Sequence, residues 1–148
     1  MKKDAQGISL VELIVVITIG MIITTLSVSA FVNLSNSNLI EAASQSLLSE
    51  FRQAYSDSIE SLANTTYGVH IATSSATIFS GTTYQNGANG NVVFTFPNNV
   101  TASATPSNFV FQQISGTTTS GIIQVYISSN PNYERTILVA STGVPELQ

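Results

Sequence analysis

The sequence is poor in the side chains that carry most enzymatic and nucleic-acid chemistry. Its 148 residues include no cysteine, one histidine, and four Lys or Arg against eight Asp or Glu. Without cysteine the chain has no disulfide, no thiolate nucleophile and no cysteine-ligated zinc site. Because binding to phosphates needs a cluster of Lys and Arg that displaces counterions, we expect no nucleic-acid partner.

The remaining polar residues match no catalytic or metal-binding pattern. Ser and Thr are abundant, but a nucleophilic hydroxyl needs a positioned base. Alternation along its segment puts His70 on the face opposite Val69 and Ile71, which fits a solvent-facing or interface residue better than a catalytic one. The sequence contains neither a calcium loop with alternating carboxylates nor a Gly-rich phosphate motif. We therefore expect no enzymatic activity, no cofactor and no metal.

What the chain does have is a long apolar run near its N-terminus. Residues 8–26 contain twelve Ile, Leu or Val residues and Met21, which is about the length that crosses a bilayer core. At roughly −0.3 to −0.6 kcal/mol per apolar residue, the run outweighs the cost of about 2.5 to 3.5 kcal/mol for the acidic Glu12. Lys2 and Lys3 hold the N-terminus in the cytoplasm, so the sequence predicts a single-pass protein of the cytoplasmic (inner) membrane with its main domain outside the cytoplasm.

Glu12 is the only charged residue of this run, and an ionisable group inside a membrane helix normally needs a partner. No Lys, Arg or His lies between Glu12 and Arg52. If the chain is cut between Gly7 and Ile8, the new α-amino group of Ile8 becomes a cation four residues before Glu12. Glu12 can then reach this amine in its own helix or, in a staggered assembly of parallel helices, the amine of a neighbour.

The N-terminal residues resemble the type III signal of type IV pilins and type II secretion pseudopilins. A short basic leader ends in Gly7, an apolar residue follows at Ile8, and Glu12 stands at the fifth position after the cut, within the segment GISLVEL. The chain differs at Ile8, where the family more often has Phe or Met. The resemblance implies cleavage between Gly7 and Ile8, N-methylation of Ile8 by a prepilin peptidase, and charge pairing by Glu12 during assembly.

The same resemblance implies a set of partners. They are the prepilin peptidase, other pilin or pseudopilin subunits, the inner-membrane assembly platform, and membrane lipid before assembly. A different interpretation treats the N-terminus as an ordinary secretory signal that is cut after Ala30. We favour the prepilin interpretation, because the apolar run is longer than the roughly 7 to 15 residues of a secretory signal and Glu12 would have no role in a discarded peptide.

Beyond residue 30 the apolar residues recur at three- and four-residue steps, which is typical of an amphipathic helix. We predict one helix over 8–63 after a leader at 1–7, with a transmembrane and assembly half at 8–30 and an amphipathic half at 31–63. The Ser- and Asn-rich residues 33–38 are a candidate looser stretch. The stripe that we expect in a core comprises Leu39, Ala43, Leu47, Phe51, Ala54, Tyr55, Ile59 and Leu62.

After residue 63 the pattern changes to short strands separated by Gly, Asn, Ser and Pro. We predict strands at 67–71, 76–79, 92–96, 109–111, 122–127 and 136–140. A hairpin is expected at 73–75, an exposed loop at 85–91, and turns at 115–116, 129–132 and 142–143. The strand aromatics expected in the core are Phe79, Phe94, Phe96, Phe109, Phe111 and Tyr126. This pattern predicts an α+β fold in which the long N-terminal helix packs on an antiparallel β-sheet domain, residues 64–148.

Three segments of this domain resemble GspH/FimT-type minor pseudopilins and minor pilins: YGVHI at 67–71, FTFPN at 94–98 and TILVASTG at 136–143. The resemblance implies a type IV pilin-like fold and a structural role as a minor pseudopilin or minor pilin in a type II secretion pseudopilus or a type IV pilus. Two alternatives stay open. One is a major type IV pilin, and the other is a membrane-anchored or secreted β-rich adhesin, which would need neither cleavage at Gly7 nor Glu12.

Overall fold

The computed structural model describes residues 9–148. One long helix is followed by a short 3-10 turn and eight strands. In chain order these elements are α1 (Leu10–Ile59), the 3-10 turn (Leu62–Asn64), β1 (Tyr67–Ile71), β2 (Ser75–Ser80), β3 (Val92–Thr95), β4 (Val100–Thr105), β5 (Asn108–Phe111), β6 (Gly121–Ile127), β7 (Asn130–Val139) and β8 (Pro145–Leu147). The chain divides into two compact units with the boundary between Ser35 and Asn36.

The long helix predicted from the apolar run and the amphipathic stripe is present. Residues 33–38 are helical throughout, so the Ser- and Asn-rich stretch does not interrupt α1. The α-helix ends at Ile59, four residues short of the predicted end. Ser61, Ala63 and Asn64 each have a φ of 52°, and this left-handed backbone cannot continue a right-handed helix.

The eight strands form two antiparallel sheets of four strands each. The first sheet has the order β3-β2-β1-β5 and the second has the order β4-β6-β7-β8. The predicted α+β class and the hairpin between β1 and β2 are confirmed. The sequence predicted six of the eight strands and missed β4 and β8, and the grouping into two sheets was not predicted. The segment VTASAT of β4 contains no large apolar residue after Val100, and β8 has only three residues.

The core of the unit 36–148 joins α1 to both sheets. On the helix, the ring of Phe51 is fully buried and meets Phe109 and Phe111 edge to face, with ring centroids 5.3 and 6.3 Å apart. Such contacts add to the stabilisation from burying the rings. The helix residues buried in this core are Ile40, Ala43, Leu47, Leu48, Phe51 and Ala54. The predicted stripe therefore packs as expected, except that Ile59 and Leu62 at its end remain more than one third exposed.

Two of the predicted core aromatics lie elsewhere. Tyr126 is half-buried and does not join the core. Phe79 is buried, but it lies outside the core cluster and packs over Gly68 and against Tyr84, whose ring centroid is 5.6 Å away. Residues that alternate along a strand point to opposite faces, so the neighbouring Ile78 faces the core and Phe79 does not. The first sheet thus has a small second apolar layer on its outer face.

Candidate functional site

The first part of α1 carries an apolar surface that its own unit leaves exposed. Large side chains here range from 47% exposed at Ile17 to 73% at Leu10. The exposed set comprises Leu10, Val11, Leu13, Ile14, Val15, Val16, Ile17, Ile19, Met21, Ile22, Ile23, Val28, Phe31, Val32 and Leu34. α1 is long and apolar enough to cross a membrane. A helix that is apolar all round is suited to lipid or to packing among other helices.

Several hydroxyl groups on this surface are hydrogen-bonded within the helix. The Oγ1 atoms of Thr18 and Thr24 donate to the carbonyls of Ile14 and Gly20 at 2.8 and 2.7 Å, and Ser27 donates to a carbonyl four residues earlier at 2.8 Å. A polar group in hydrocarbon is costly unless it is hydrogen-bonded. These side chains therefore add no unpaired polar group to the apolar surface.

Glu12 is the one charged side chain on this part of the helix. It lies in the first turn of α1, where the helix dipole favours a negative charge. Its side chain is exposed, and its carboxylate makes no hydrogen bond or ion pair with any residue in 9–148. The structure thus presents a carboxylate at one end of an apolar helix that is free to meet a cation from outside the described residues.

The predicted cleavage and methylation positions, Gly7 and Ile8, lie outside the described residues. Their proximity to Glu12 is therefore a prediction from sequence spacing. The lysines of the leader lie outside the described residues as well.

The unit 36–148 contains one ion pair among the residues that the structure describes. Nε of Arg135 on β7 donates to Oε2 of Glu41 on α1 at 3.0 Å, and the two side chains are 39% and 46% exposed. A hydrogen bond from Gln45 and then the Arg135 guanidinium lower the pKa of Glu41 below its ordinary value. The pair links the helix to the second sheet, and its partial exposure marks it as a modest structural contact.

His70 lies on the outer face of the first sheet, as its alternation predicted. Its ring stacks on Tyr84, with centroids 3.9 Å apart and planes within 9°, and Nδ1 lies 2.6 Å from Oδ1 of Asn108. The stack fixes the loop after β2 against the sheet. His70 therefore packs against Tyr84 and hydrogen-bonds to Asn108.

The described residues contain no group of three or more His, Asp or Glu side chains that could hold a metal ion. A cleft of about 540 Å³ on the second sheet is walled mainly by apolar side chains, including Ile122, Leu138 and Val144, and Glu146 is its only titratable residue. This cleft has no pairing of a nucleophile with a base. The candidate site is therefore the N-terminal helix surface with Glu12.

The N-terminus also matches a known protein family. Residues 2–28 match the prokaryotic N-terminal methylation motif. The match covers Gly7, Ile8 and Glu12 together with most of the exposed apolar surface of α1. No curated protein matches the sequence at a significant level.

Comparison with solved structures identifies the fold. The type IV minor pilin FimU of Pseudomonas aeruginosa superimposes with a TM-score of 0.61 at 14% identity, over 75% of this chain and 89% of that one. The minor pseudopilin EpsH from the type 2 secretion system of Vibrio cholerae gives a TM-score of 0.56 at 15% identity, over 74% of this chain and 95% of that one. At these identities the likeness establishes the type IV pilin-like fold.

Proposed function

We infer that this chain, a type IV pilin-like protein by its N-terminal motif and its fold, is a structural subunit of a type IV pilus or a type II secretion pseudopilus. One observation carries the inference. The methylation motif at residues 2–28 overlaps the first part of α1, which exposes large apolar side chains between Leu10 and Leu34 before the helix enters the core of a β-rich domain. A helix of this kind can be held first by lipid and later by the helices of other subunits.

The proposed precursor is cut between Gly7 and Ile8, and a prepilin peptidase methylates the new amino group of Ile8. The cut removes Lys2 and Lys3 and leaves two Arg against seven acidic side chains in the mature chain. The subunit would have no catalytic role. Its function would lie in its contacts with other chains.

Glu12 is proposed as the assembly residue. Its exposed carboxylate has no partner within the described residues, and a buried charge that lacks a partner is costly. In an assembly of parallel helices with a stagger, the α-amino group of a neighbouring Ile8 would supply the cation. Pairing would then favour the docked position of a subunit over positions that leave Glu12 alone in an apolar environment.

The proposed route starts in the cytoplasmic membrane, with the N-terminus inside and the β-rich domain outside the cytoplasm. The exposed apolar part of α1 would lie in lipid before assembly. An inner-membrane assembly platform would then pass the subunit into the filament, where other pilin or pseudopilin helices replace the lipid. The apolar character of the surface suits both environments.

A minor subunit is the form of this role that we favour. FimU and EpsH are a minor pilin and a minor pseudopilin, and the likeness to this chain extends over 89% and 95% of their lengths. The likeness therefore includes nearly all of those two chains. Abundance in sheared surface material tests this point, since a major pilin would dominate that material.

The experiment that tests the proposed function determines the N-terminus and the intact mass of the mature protein in its native host. We expect a chain that begins at Ile8 and carries one added methyl group. A Gly7→Ala variant is the matched control, and we expect it to keep the leader because the altered residue stands at the cut. A mature N-terminus at Phe31, or an uncut chain that still begins at Met1, would contradict the proposal.

A further inference from the structure

Three of the four terminal strands of the two sheets are protected on their outer side, and β5 is the first of them. The N–H of Gln112, directly after β5, donates to the carbonyl of Thr117 at 2.9 Å, and the carbonyl of Gln112 accepts from the N–H of Gly116 at 2.9 Å. Gly121 lies so close to Phe109 that a Cβ on it would stand 2.7 Å from the ring. The residues between Gly116 and Gly121 thus flank β5, and this edge is closed by its own chain.

The terminal strands of the second sheet, β4 and β8, are protected in other ways. On β4, the N–H of Ala102 donates to the carbonyl of Thr73 in the loop between β1 and β2, at 3.0 Å. β8 has only three residues, of which Pro145 has no N–H and Glu146 carries a charge. Short length, proline and charge all disfavour pairing with a further strand. Both strands therefore have features that oppose the addition of a strand.

β3 is the terminal strand that lacks such protection among residues 9–148. It pairs with β2 with Val93 opposite Thr77, and the N–H of Phe96 donates to the carbonyl of Ser74 at 3.0 Å in the same register. Hydrogen-bonded pairs alternate along an antiparallel ladder, so the N–H and C=O groups of Val93 and Thr95 point away from β2. These groups form no hydrogen bond with the residues that the structure describes.

The side chains of β3 make this edge apolar and uncharged. Val92 and Val93 are 55% and 59% exposed, and Phe94 is half-buried against the core. Alternation places Val92 and Phe94 on the face of the sheet that meets the core and Val93 on the outer face. The segment 61–133, which contains β3, has no Asp, Glu, Lys or Arg. The segment that matches this edge is therefore extended and uncharged, with apolar residues at alternate positions.

A second copy of this chain does not offer a suitable strand to β3. Its β4, β5 and β8 are protected in the ways described above. Pairing of β3 with the β3 of a second copy requires a two-fold rotation, which either reverses one α1 or moves it to the opposite face of the joined sheet. Neither arrangement brings two α1 helices side by side in parallel, as assembly through parallel helices requires. In this respect the inference rests on the proposed function.

We propose that β3 is a docking edge for one extended segment of a different subunit of the same filament, which joins the first sheet as a fifth strand. The outward N–H and C=O groups of Val93 and Thr95 bond to its backbone, and its alternate apolar side chains cover Val92 and Phe94. In strand addition, main-chain hydrogen bonds give the affinity and alternate side chains give the specificity. Because β5 is closed by its own chain, the sheet gains one strand and stops, which suits a minor subunit.

A photo-reactive amino acid at position 93 of the full-length chain, produced in its native host, tests the identity of the partner. We expect one predominant product, in which a different protein with its own N-terminal methylation motif is linked through an uncharged extended segment. Position 122 is the control, since Ile122 is 49% exposed but lies on β6, which has neighbours on both sides. No product at position 93, equal yields at the two positions, a link to a second copy, or a link only to a protein without the motif would overturn the proposal.

Substitutions on β3 test the pairing itself. Val93→Lys places a charge on the open edge, and we expect it to lower the amount of the cross-linked subunit that co-purifies with this chain by about tenfold. Thr95→Lys, at the other outward position, should give the same loss. Val93→Thr is the matched control, because its β-branched, uncharged side chain suits a strand, and it should co-purify as much as the wild-type chain.

Processing of the same variants separates this inference from the proposed function. We expect all of them to be cut before Ile8, since β3 lies far along the chain from the leader. If the wild-type chain is processed and incorporated into filaments and both lysine variants retain the partner, edge docking is wrong and the proposed function stands. If the wild-type chain is neither processed nor incorporated, the proposed function is wrong and the docking inference falls with it.

Discussion

The hydroxyl of Ser58 in the last turn of α1 accepts a hydrogen bond from the N–H of Tyr67, the first residue of β1, at 2.9 Å. The carbonyl of Ser58 accepts another from the N–H of Ile114, in the loop after β5, at 3.1 Å. Ser58 is fully buried. One small residue thus joins the end of the helix, the start of the first sheet and a distant loop.

We expect Ser58→Ala to lower the free energy of unfolding by about 1 to 3 kcal/mol, because it leaves the part-buried N–H of Tyr67 without its acceptor. Thermal or urea unfolding of the detergent-solubilised chain, followed by far-UV circular dichroism, measures the change. Ser56→Ala is the control, since its hydroxyl meets Glu60 on the exposed side of the helix. Equal effects of the two substitutions would contradict the role of Ser58.

Phe51 is the fully buried aromatic residue of α1. Phe51→Ala should cost about 3 to 5 kcal/mol, since it removes a fully buried ring and leaves a cavity beside Phe109 and Phe111. The same unfolding measurement applies. Phe31→Ala is the matched control, because that ring is 72% exposed and its loss should leave the unfolding of the β-rich unit unchanged. A cost below 1 kcal/mol for Phe51→Ala would contradict this packing.

Gly68 allows the ring of Phe79 to lie against the backbone of β1. A Cβ at this position would stand 2.6 Å from Cζ of Phe79 and 2.7 Å from the carbonyl oxygen of Phe109. We expect Gly68→Ala to destabilise the β-rich unit by about 1 to 3 kcal/mol, because the backbone oxygen cannot move away without disturbing the ladder. Gly20→Ala is the control, since nothing lies within 4 Å of its Cβ. An unchanged melting temperature for Gly68→Ala would refute this close approach.

The contact between Glu41 and Arg135 should make a small contribution to stability that depends on pH. The lowered pKa of Glu41 means that this contribution is present above the ordinary range of a Glu carboxyl and is lost as the pH falls through the lowered value. Arg135→Met should therefore lower the melting temperature slightly at pH 7 and not at strongly acidic pH. High salt should reduce the difference at pH 7 because the pair is partly exposed.

Arg52→Met serves as the control for that measurement. Arg52 is exposed and forms no ion pair with the described residues, so its replacement should leave the melting temperature nearly unchanged at both pH values. A loss of stability for Arg135→Met that is the same at neutral and acidic pH would show that the pair with Glu41 is not its cause.

Glu12→Ala should leave membrane insertion intact, because removal of a charge from an apolar helix favours insertion. It should prevent incorporation into filaments, because the Ile8 amine of a neighbouring subunit would lose its partner. Membrane fractionation and analysis of sheared filaments measure the two steps separately. Glu50→Ala, a change of the same residue type in the unit 36–148, is the control. Normal incorporation of Glu12→Ala would refute charge pairing.

Patterns that are local in the chain predicted a large part of this protein. The apolar run, Glu12 and the residues around Gly7 indicated a helix with a pilin-type N-terminus, and residues 2–28 match the methylation motif. The stripe from Ala43 to Ala54 predicted the buried face of α1, because side chains three and four residues apart lie on one side of a helix. Charge pairing at Glu12 and cleavage after Gly7 stay predictions.

The tertiary structure decided how the strands are grouped and which face of each is covered. β4 pairs with β6, although β5 lies between them in the sequence and β4 itself contains few large apolar residues. The turn expected at 129–132 occupies residues 128–129, and Pro131 is accommodated in β7 where the ladder shifts register. The alternation of side chains along a strand shows that the two faces of a sheet differ, but it does not show which face packs against the core. Phe79 is an example, because it was expected in the core and lies on the outer face.

The edge of the first sheet at β3 is another feature that the sequence reveals only in part. From the sequence alone, the absence of charge in 61–133 could have been noticed. The sequence could not show that Val93 lies on an edge strand with its backbone groups pointing outward, because that depends on the pairing between β2 and β3. Helical structure and membrane affinity arise from neighbours in the chain, whereas strand order and edge exposure arise from hydrogen bonds between segments that are far apart in it.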